Sequence, residues 1–180
     1  MAVKRRLVET ITDPSYLEGL TTRPLDELRV MRDESREGEM ELSFERRLCQ
    51  GRSDILSAEL DRRSGKVEGD LMSRLPSILA AEGRQGSDSP LPSRAPDFSI
   101  PRNADIPRRR VEEIVGEQTL TRLPTLATEE IQQILRSLSE HEQSVSARRK
   151  AVQDVMDKVQ AEIVRRYTSG EADPRSVSAG

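Results

Sequence analysis

Aromatic residues are scarce in this sequence: it has no tryptophan, and only two phenylalanines and two tyrosines among 180 residues. Hydrophobic residues make up 34% of the chain, and charged residues make up another 34%. This composition offers too little aromatic and β-branched mass for a large globular core. It is typical of long helices with a narrow apolar seam, accompanied by disordered segments. The sequence therefore predicts one extended all-α domain.

Several further absences exclude classes of function. The chain has one histidine, His141, and one cysteine, Cys49, and it contains no metal constellation, phosphate loop or nucleophile motif, so we do not expect an enzyme. No apolar run approaches the ~20 residues of a membrane span, and the N-terminus lacks a signal-peptide core. A net charge of −3 gives the chain no electrostatic reason to wrap duplex DNA or an anionic membrane.

The one cysteine and the one histidine are both interpreted as structural residues. Cys49 cannot form an internal disulfide, which fits a cytoplasmic protein, and its position on the apolar seam favours a small core residue. His141 has no Cys or Ser partner at a meaningful spacing, and we interpret it as a surface residue.

The sequence does contain an internal duplication. When residues 37–63 are moved forward by 103 positions onto residues 140–166, ten of the 27 positions are identical and no gap is needed. Chance would give one or two identities. The chain therefore repeats one structural unit.

The repeated residues are mostly polar, although packing alone would preserve the apolar positions. Both copies read E-x3-S-x2-R-x3-Q-x3-D, and on an α-helix the steps of 4, 3, 4 and 4 place all five side chains on one face, over roughly 22 Å. We predict that these ten residues form the binding site. They are Glu39, Ser43, Arg46, Gln50 and Asp54 in the first copy, and Glu142, Ser146, Arg149, Gln153 and Asp157 in the second.

Apolar residues at spacings of three, four and seven mark a coiled-coil seam beside each polar row. Pro24 in a first turn, Thr128 as an N-cap and Gly170 beyond an end give the helix limits. The predicted organisation is a flexible N-terminal arm (1–23), helix one (24–64), a flexible linker with short helices (65–127), helix two (128–168) and a disordered tail (169–180).

We expect the two helices to form an antiparallel hairpin, which is the simpler topology. A linker of about 64 residues is also long enough for a parallel pairing, since it could span a helix of ~60 Å. Helix one has 17 residues after Arg46, and helix two has 21 before Arg149, so the two motif centres should lie nearly level. This register places Glu39 opposite Asp157, and Asp54 opposite Glu142.

The residue types of the motif suit a guanine nucleotide. An Arg fork matches the guanine N7 and O6 acceptors or a phosphate, and a carboxylate accepts from N1–H and the 2-amino group, while Ser and Gln adapt to either. Two equal rows favour a two-fold symmetric ligand, or two copies of one ligand.

The doubled motif on two helices resembles the RsiG family, the cyclic di-GMP-dependent anti-sigma factors of sporulating actinobacteria that restrain the sigma factor WhiG. The entry segment is also similar to that family, through Asp13-Pro14, Tyr16-Leu17-Glu18-Gly19-Leu20 and Pro24-Leu25-Asp26-Glu27-Leu28-Arg29. The resemblance covers both long helices and the entry segment, and all ten motif positions match.

The resemblance implies an antiparallel coiled coil that holds two cyclic di-GMP molecules, one motif copy per nucleotide, as a condition for binding a WhiG-type sigma factor. It implies that Arg46 and Arg149 read guanine or contact phosphate, that the four acids accept hydrogen bonds, and that the Ser and Gln residues add polar contacts. Arg47, Arg148 and Lys150 would help to neutralise the phosphates. The protein would act as a cytoplasmic monomer in a 1:1 complex with sigma, blocking the sporulation programme.

Two other readings of the residues compete with this one. A structural coiled-coil interaction protein without a nucleotide ligand would explain a row of surface ion pairs, but it does not explain why Ser and Gln repeat in register. A nucleic-acid-binding coiled coil needs a basic helix face, whereas this row carries two acids for each arginine.

Overall fold

The structure is a computed structural model that describes residues 7–65 and 110–171. Within these residues it contains helices and no strand, and its two longest helices pack antiparallel against each other, so the predicted all-α hairpin is confirmed. The α-helices are α1 (Leu7–Ile11), α2 (Leu25–Arg63), α3 (Arg110–Ile114), α4 (Glu117–Thr121) and α5 (Thr128–Thr168), and Pro14–Leu17 and Leu123–Thr125 are 3-10 helices.

The limits of both long helices agree with the sequence signals to within about one residue. Each begins with two acids in its first turn and ends with two arginines in its last turn, which suits the helix dipole. The start of α5 differs in one detail from the predicted Thr128 N-cap. Thr128 is the first residue of α5, so Ala127 occupies the N-cap position. The Glu130 carboxylate, in the first turn, accepts a 2.7 Å hydrogen bond from the Ala127 N–H.

The N-terminal segment contains more helix than the sequence predicted, whereas short helices were expected in the linker. Residues 7–23, expected to be irregular, contain α1 and the first 3-10 helix, and Val8 and Ile11 of α1 are buried. Residues 110–127 belong to the linker that was predicted to contain short helices, and they form α3, α4 and the second 3-10 helix. The rest of the predicted linker and most of the predicted tail lie outside the described residues.

The chain divides into two compact units. Unit 1 comprises Met1–Leu42 and Ala147–Gly180, and unit 2 comprises Ser43–Ser146. Each unit therefore contains half of α2 and half of α5. The core of unit 1 is formed by Leu28, Met31, Val159 and Ile163, and the core of unit 2 by Cys49, Leu56, Val111, Val115, Leu123, Ile131 and Leu138.

The duplication is longer than the motif. Residues 7–65 align with residues 110–168 at the same offset of 103, with 17 identities in 59 positions. The limits of α1 and α3 differ by the same offset, and the aligned residues Val8 and Val111 are both buried. Most of the described residues therefore belong to two copies of one sequence unit.

In unit 1, α5 ends in a buried carboxylate that holds two arginines. Glu162, whose side chain is 7% exposed, accepts hydrogen bonds of 2.8 to 2.9 Å from Arg165 and Arg166. The Arg166 guanidinium also donates to the backbone carbonyls of Leu20, Thr21 and Arg23, in the turn that leads into α2. We call this arrangement the unit 1 clamp.

Unit 2 contains the same arrangement at the end of α2. Glu59, with a 3% exposed side chain, accepts from Arg62 and Arg63, and Arg63 donates to the carbonyls of Leu123, Pro124 and Leu126 ahead of α5. These carbonyls lie 103 positions after those of the unit 1 clamp. In both units, then, the C-terminus of one long helix fixes the turn before the other.

The long helices are too polar to span a membrane. None of the helices between residues 7 and 65 or between residues 110 and 171 has a stretch long and apolar enough to cross a bilayer.

The clamps predict a characteristic loss of stability in acid. Hydrogen bonds from Arg62 and Arg63 lower the pKa of Glu59 to about 2, and those from Arg165 and Arg166 do the same for Glu162. A lowered carboxyl pKa contributes stability that is present above the ordinary value of 4.5 and is lost as the pH falls toward 2. Urea unfolding should show this loss between pH 5 and pH 3.

The double variant Glu59→Gln/Glu162→Gln should be less stable than the wild type at pH 6, by about 1 to 3 kcal/mol for each clamp, and it should lose less stability on acidification. Glu112→Gln, at an exposed position on α3, is the matched control. Equal acid sensitivity of wild type and double variant would contradict this role of the clamps.

Buried Cys49 gives a second prediction. Burial, and then the nearby carboxylates of Glu45 and Glu142, raise the pKa of Cys49 to about 11. Because the thiolate is the reactive form, alkylation at pH 8 should be at least about 100-fold slower in the folded protein than in urea. Ser57→Cys in a Cys49→Ala background places an exposed thiol on the same helix and should react at nearly the unfolded rate. Rapid native labelling of Cys49 would contradict the packing of unit 2.

Candidate ligand-binding site

All ten motif residues lie on the long helices, and the two units divide them. Nine of the ten are partly buried, and Asp157 is exposed. We call the four in unit 1 half-site 1 and the six in unit 2 half-site 2. Half-site 1 is Glu39, Arg149, Gln153 and Asp157, and half-site 2 is Ser43, Arg46, Gln50, Asp54, Glu142 and Ser146.

In half-site 1, Glu39 of α2 binds two donors on α5. Its Oε1 atom accepts 3.1 Å hydrogen bonds from Arg149 Nη1 and from Gln153 Nε2. Asp157 follows Gln153 by four positions, which places it one turn farther along α5. The glutamate therefore holds an arginine and an amide side by side.

In half-site 2, Glu142 of α5 plays the same part. Its Oε1 atom accepts a 3.2 Å hydrogen bond from Gln50 Nε2. Arg46 Nη1 lies 3.8 Å from the same oxygen, which is an ion-pair distance and too long for a hydrogen bond. The Glu, Arg and Gln types thus meet in both units, with a looser arginine contact in half-site 2.

Each half-site is built from both motif copies. The glutamate comes from one copy, and the arginine and glutamine come from the other. The expected register, with Glu39 opposite Asp157, is displaced: the recorded partners of Glu39 lie one and two turns closer to the start of α5. The four-residue difference between the 17 positions after Arg46 and the 21 before Arg149 explains this, because four residues amount to about one helical turn.

Several polar groups of the half-sites have unused hydrogen-bonding capacity. The Nε atoms of Arg46 and Arg149 are buried and have no acceptor among the described residues. Leaving such a donor unsatisfied costs about 1 to 3 kcal/mol. Partial burial raises the pKa of Asp54, and no described residue pairs with its carboxylate. Together these groups offer arginine donors at equivalent positions and an unpaired acceptor.

Sequence reasoning missed one polar pair close to half-site 2. His141 Nε2 lies 2.9 Å from Glu45 Oε1, and the two side chains are only 13% and 11% exposed. The interpretation of His141 as a surface residue is therefore wrong. Seam spacing could have identified both residues, since His141 lies between Leu138 and Val145 at steps of three and four, and Glu45 lies likewise between Leu42 and Cys49.

A cleft of about 420 Å³ lies in unit 2 between α3 and the first half of α5. None of the ten motif residues lines this cleft, and of the pair formed by Glu45 and His141 only His141 does. Its walls are Arg110, Glu113, Ile114, Gln133, Ile134, Ser137, Glu140 and His141. Within the described residues, no group of three or more His, Cys, Asp or Glu side chains is arranged to hold a metal ion.

Comparison with known families agrees with the architecture. The model of the RsiG-like family matches residues 14–79 and 117–179, two segments that begin 103 positions apart and include all ten motif residues. No curated protein matches the sequence. Because the family model covers well over half of the chain, the protein belongs to the RsiG-like family.

Proposed function

We propose that this protein is an anti-sigma factor that binds two cyclic di-GMP molecules through the ten motif residues and, in that state, sequesters a WhiG-type sigma factor to block a sporulation programme. Membership of the RsiG-like family, which is a family of anti-sigma regulators and not of enzymes, supports the general role. The observation that carries the nucleotide proposal is the repeated meeting of a glutamate with an arginine and a glutamine, once in each unit.

The chemistry of the half-sites supports a guanine nucleotide. An arginine fork can donate to guanine N7 and O6 or to a phosphate oxygen. Asp54 can accept from guanine N1–H and the 2-amino group, and these bonds would favour its ionised form despite partial burial. A ligand acceptor near Arg46 Nε or Arg149 Nε would satisfy a donor that is otherwise buried without a partner.

Nucleotide binding would replace contacts between side chains of the half-sites with contacts to the ligand. Glu39 holds Arg149 and Gln153, and Glu142 holds Gln50 and lies near Arg46. These carboxylates position the donors in advance, so a phosphate or a guanine edge meets side chains whose rotamers are already restricted. Since each half-site takes residues from both copies, a bound nucleotide also bridges α2 and α5.

This bridging supports a linkage mechanism. If sigma factor binds the nucleotide-bound hairpin better than the empty one, cyclic di-GMP strengthens the complex, and sigma tightens nucleotide binding by the same factor. The complex would dissociate when the second messenger falls.

The first test is nucleotide binding by arginine variants. Arg46→Ala/Arg149→Ala should lose at least about 30-fold in affinity for cyclic di-GMP, because each of the two bidentate arginine contacts contributes about 1 to 3 kcal/mol. Isothermal titration calorimetry measures the affinity, and far-ultraviolet circular dichroism should show unchanged helicity. Arg32→Ala, on α2 outside the motif, is the matched control and should bind normally.

Wild-type affinity retained in the double variant would contradict the site. If the wild type itself does not bind, the competing function stands, namely a structural helical hairpin without a nucleotide ligand.

The second test is the coupling between ligands. A WhiG-type sigma factor should bind the wild-type chain at least about 10-fold more tightly with saturating cyclic di-GMP than without it, as measured by surface plasmon resonance. The double arginine variant should show the same weak affinity under both conditions. Equal sigma affinity of the wild type with and without the nucleotide would rule out linkage.

A further inference from the structure

The only histidine of the chain lies in a position to change the charge of half-site 2. Its Nε2 atom is 2.9 Å from the Glu45 carboxylate, and its ring lines the cleft beside α3, through which it can exchange protons with solvent. A neutral imidazole leaves the Glu45 charge unbalanced, whereas a protonated one balances it.

Glu45 belongs to the same cluster as the carboxylate that holds the motif donors. Both Glu45 and Glu142 act on the thiol of Cys49, contributing after burial itself to its raised pKa, so the two carboxylates lie around one residue. Glu142 accepts from Gln50 and lies near Arg46. Protonation of His141 therefore adds a positive charge to a cluster that includes the Glu142, Gln50 and Arg46 side chains of half-site 2.

The formal charge of this cluster depends on His141. Arg52 also acts on Cys49, and with neutral His141 the group of two acids and two arginines has a net charge of zero. Protonation makes it +1. The four residues are Glu45, Glu142, Arg46 and Arg52. The remaining charged groups that line the cleft around His141 are Arg110, Glu113 and Glu140, with a net charge of −1.

Unit 1 contains no equivalent of the pair formed by His141 and Glu45. Gly38 replaces His141, Arg148 replaces Glu45, and Val155 replaces Arg52. With Glu39 and Arg149, that cluster has a charge of +1 at every pH near neutrality. The equivalents of the three cleft residues again sum to −1; they are Leu7, Thr10 and Glu37. The two clusters thus differ by one charge when His141 is neutral and match when it is protonated.

We propose that protonation of His141, paired with Glu45, strengthens anionic nucleotide binding through half-site 2, so that the response to cyclic di-GMP is stronger at lower pH. This inference rests on the proposed function. A ligand with two phosphate charges gains from each positive charge added to its site. Through linkage, ligand binding near neutrality also takes up a proton.

The experiment is calorimetric titration of the full chain with cyclic di-GMP at about pH 6 and about pH 8. The wild type should bind about 3- to 10-fold more tightly at the lower pH, a range for one added charge at a partly screened distance. His141→Gln should bind equally at both. Titrations of the wild type near pH 7, in buffers of different ionisation enthalpy, should report proton uptake that is absent from His141→Gln.

Two further variants separate charge from structure. Glu45→Gln should raise the affinity at pH 8 to about the wild-type value at pH 6, because it removes the negative charge directly. Arg148→Ala, at the position equivalent to Glu45 in unit 1, should weaken binding at both pH values and leave their ratio unchanged.

The inference is overturned if the wild type binds cyclic di-GMP equally at both pH values, or if His141→Gln keeps the wild-type difference in affinity between them. The proposed function stands in both cases. If the wild type shows no binding at either pH, both fail together. Circular dichroism of each variant establishes that it is folded, and if His141→Gln fails to fold, the affinity of Glu45→Gln at pH 8 decides.

Discussion

The register of the two long helices depends on the hydrogen bonds that their last arginines donate to backbone carbonyls. Arg166 holds the turn before α2, and Arg63 holds the turn before α5. A coiled-coil seam of aliphatic residues specifies register weakly, since a shift by one heptad keeps apolar residues facing each other. Directional bonds from an arginine that a buried carboxylate holds in place favour one register. The positions of all the motif side chains follow from that constraint.

The register in turn determines which motif residues meet. Because the motif centres are staggered by about one turn, each glutamate contacts the arginine or glutamine of the opposite copy. The duplicated sequence therefore gives composite half-sites, and neither copy supplies one by itself. Differences between the copies then make the half-sites unequal: Glu39 has a hydrogen bond from Arg149, whereas Glu142 has only a longer ion pair with Arg46.

The sequence predicts the long helices well because their signals are local. Proline, first-turn acids and the apolar period define α2 and α5 to within about one residue. Helix α1 was missed because five residues with buried Val8 and Ile11 contain too little periodicity to distinguish helix from an irregular segment. The clamps and the pair of Glu45 with His141 were missed for another reason. The repeat marks Arg63 and Arg166, but only tertiary structure reveals that they bind carbonyls, and Glu45 and His141 do not repeat.

The long sequence separation of the paired residues has a consequence for folding. The donors and acceptors of half-site 1 lie 110 and 114 positions apart, and those of half-site 2 lie 92 apart. Contacts over such separations raise the contact order of the chain, and they should slow its folding relative to helical proteins with short connections. Loop-closure entropy favours the shorter connection, so nucleation should begin in unit 2, where Arg63 needs to span only 60 to 63 positions, and the chain ends should join last.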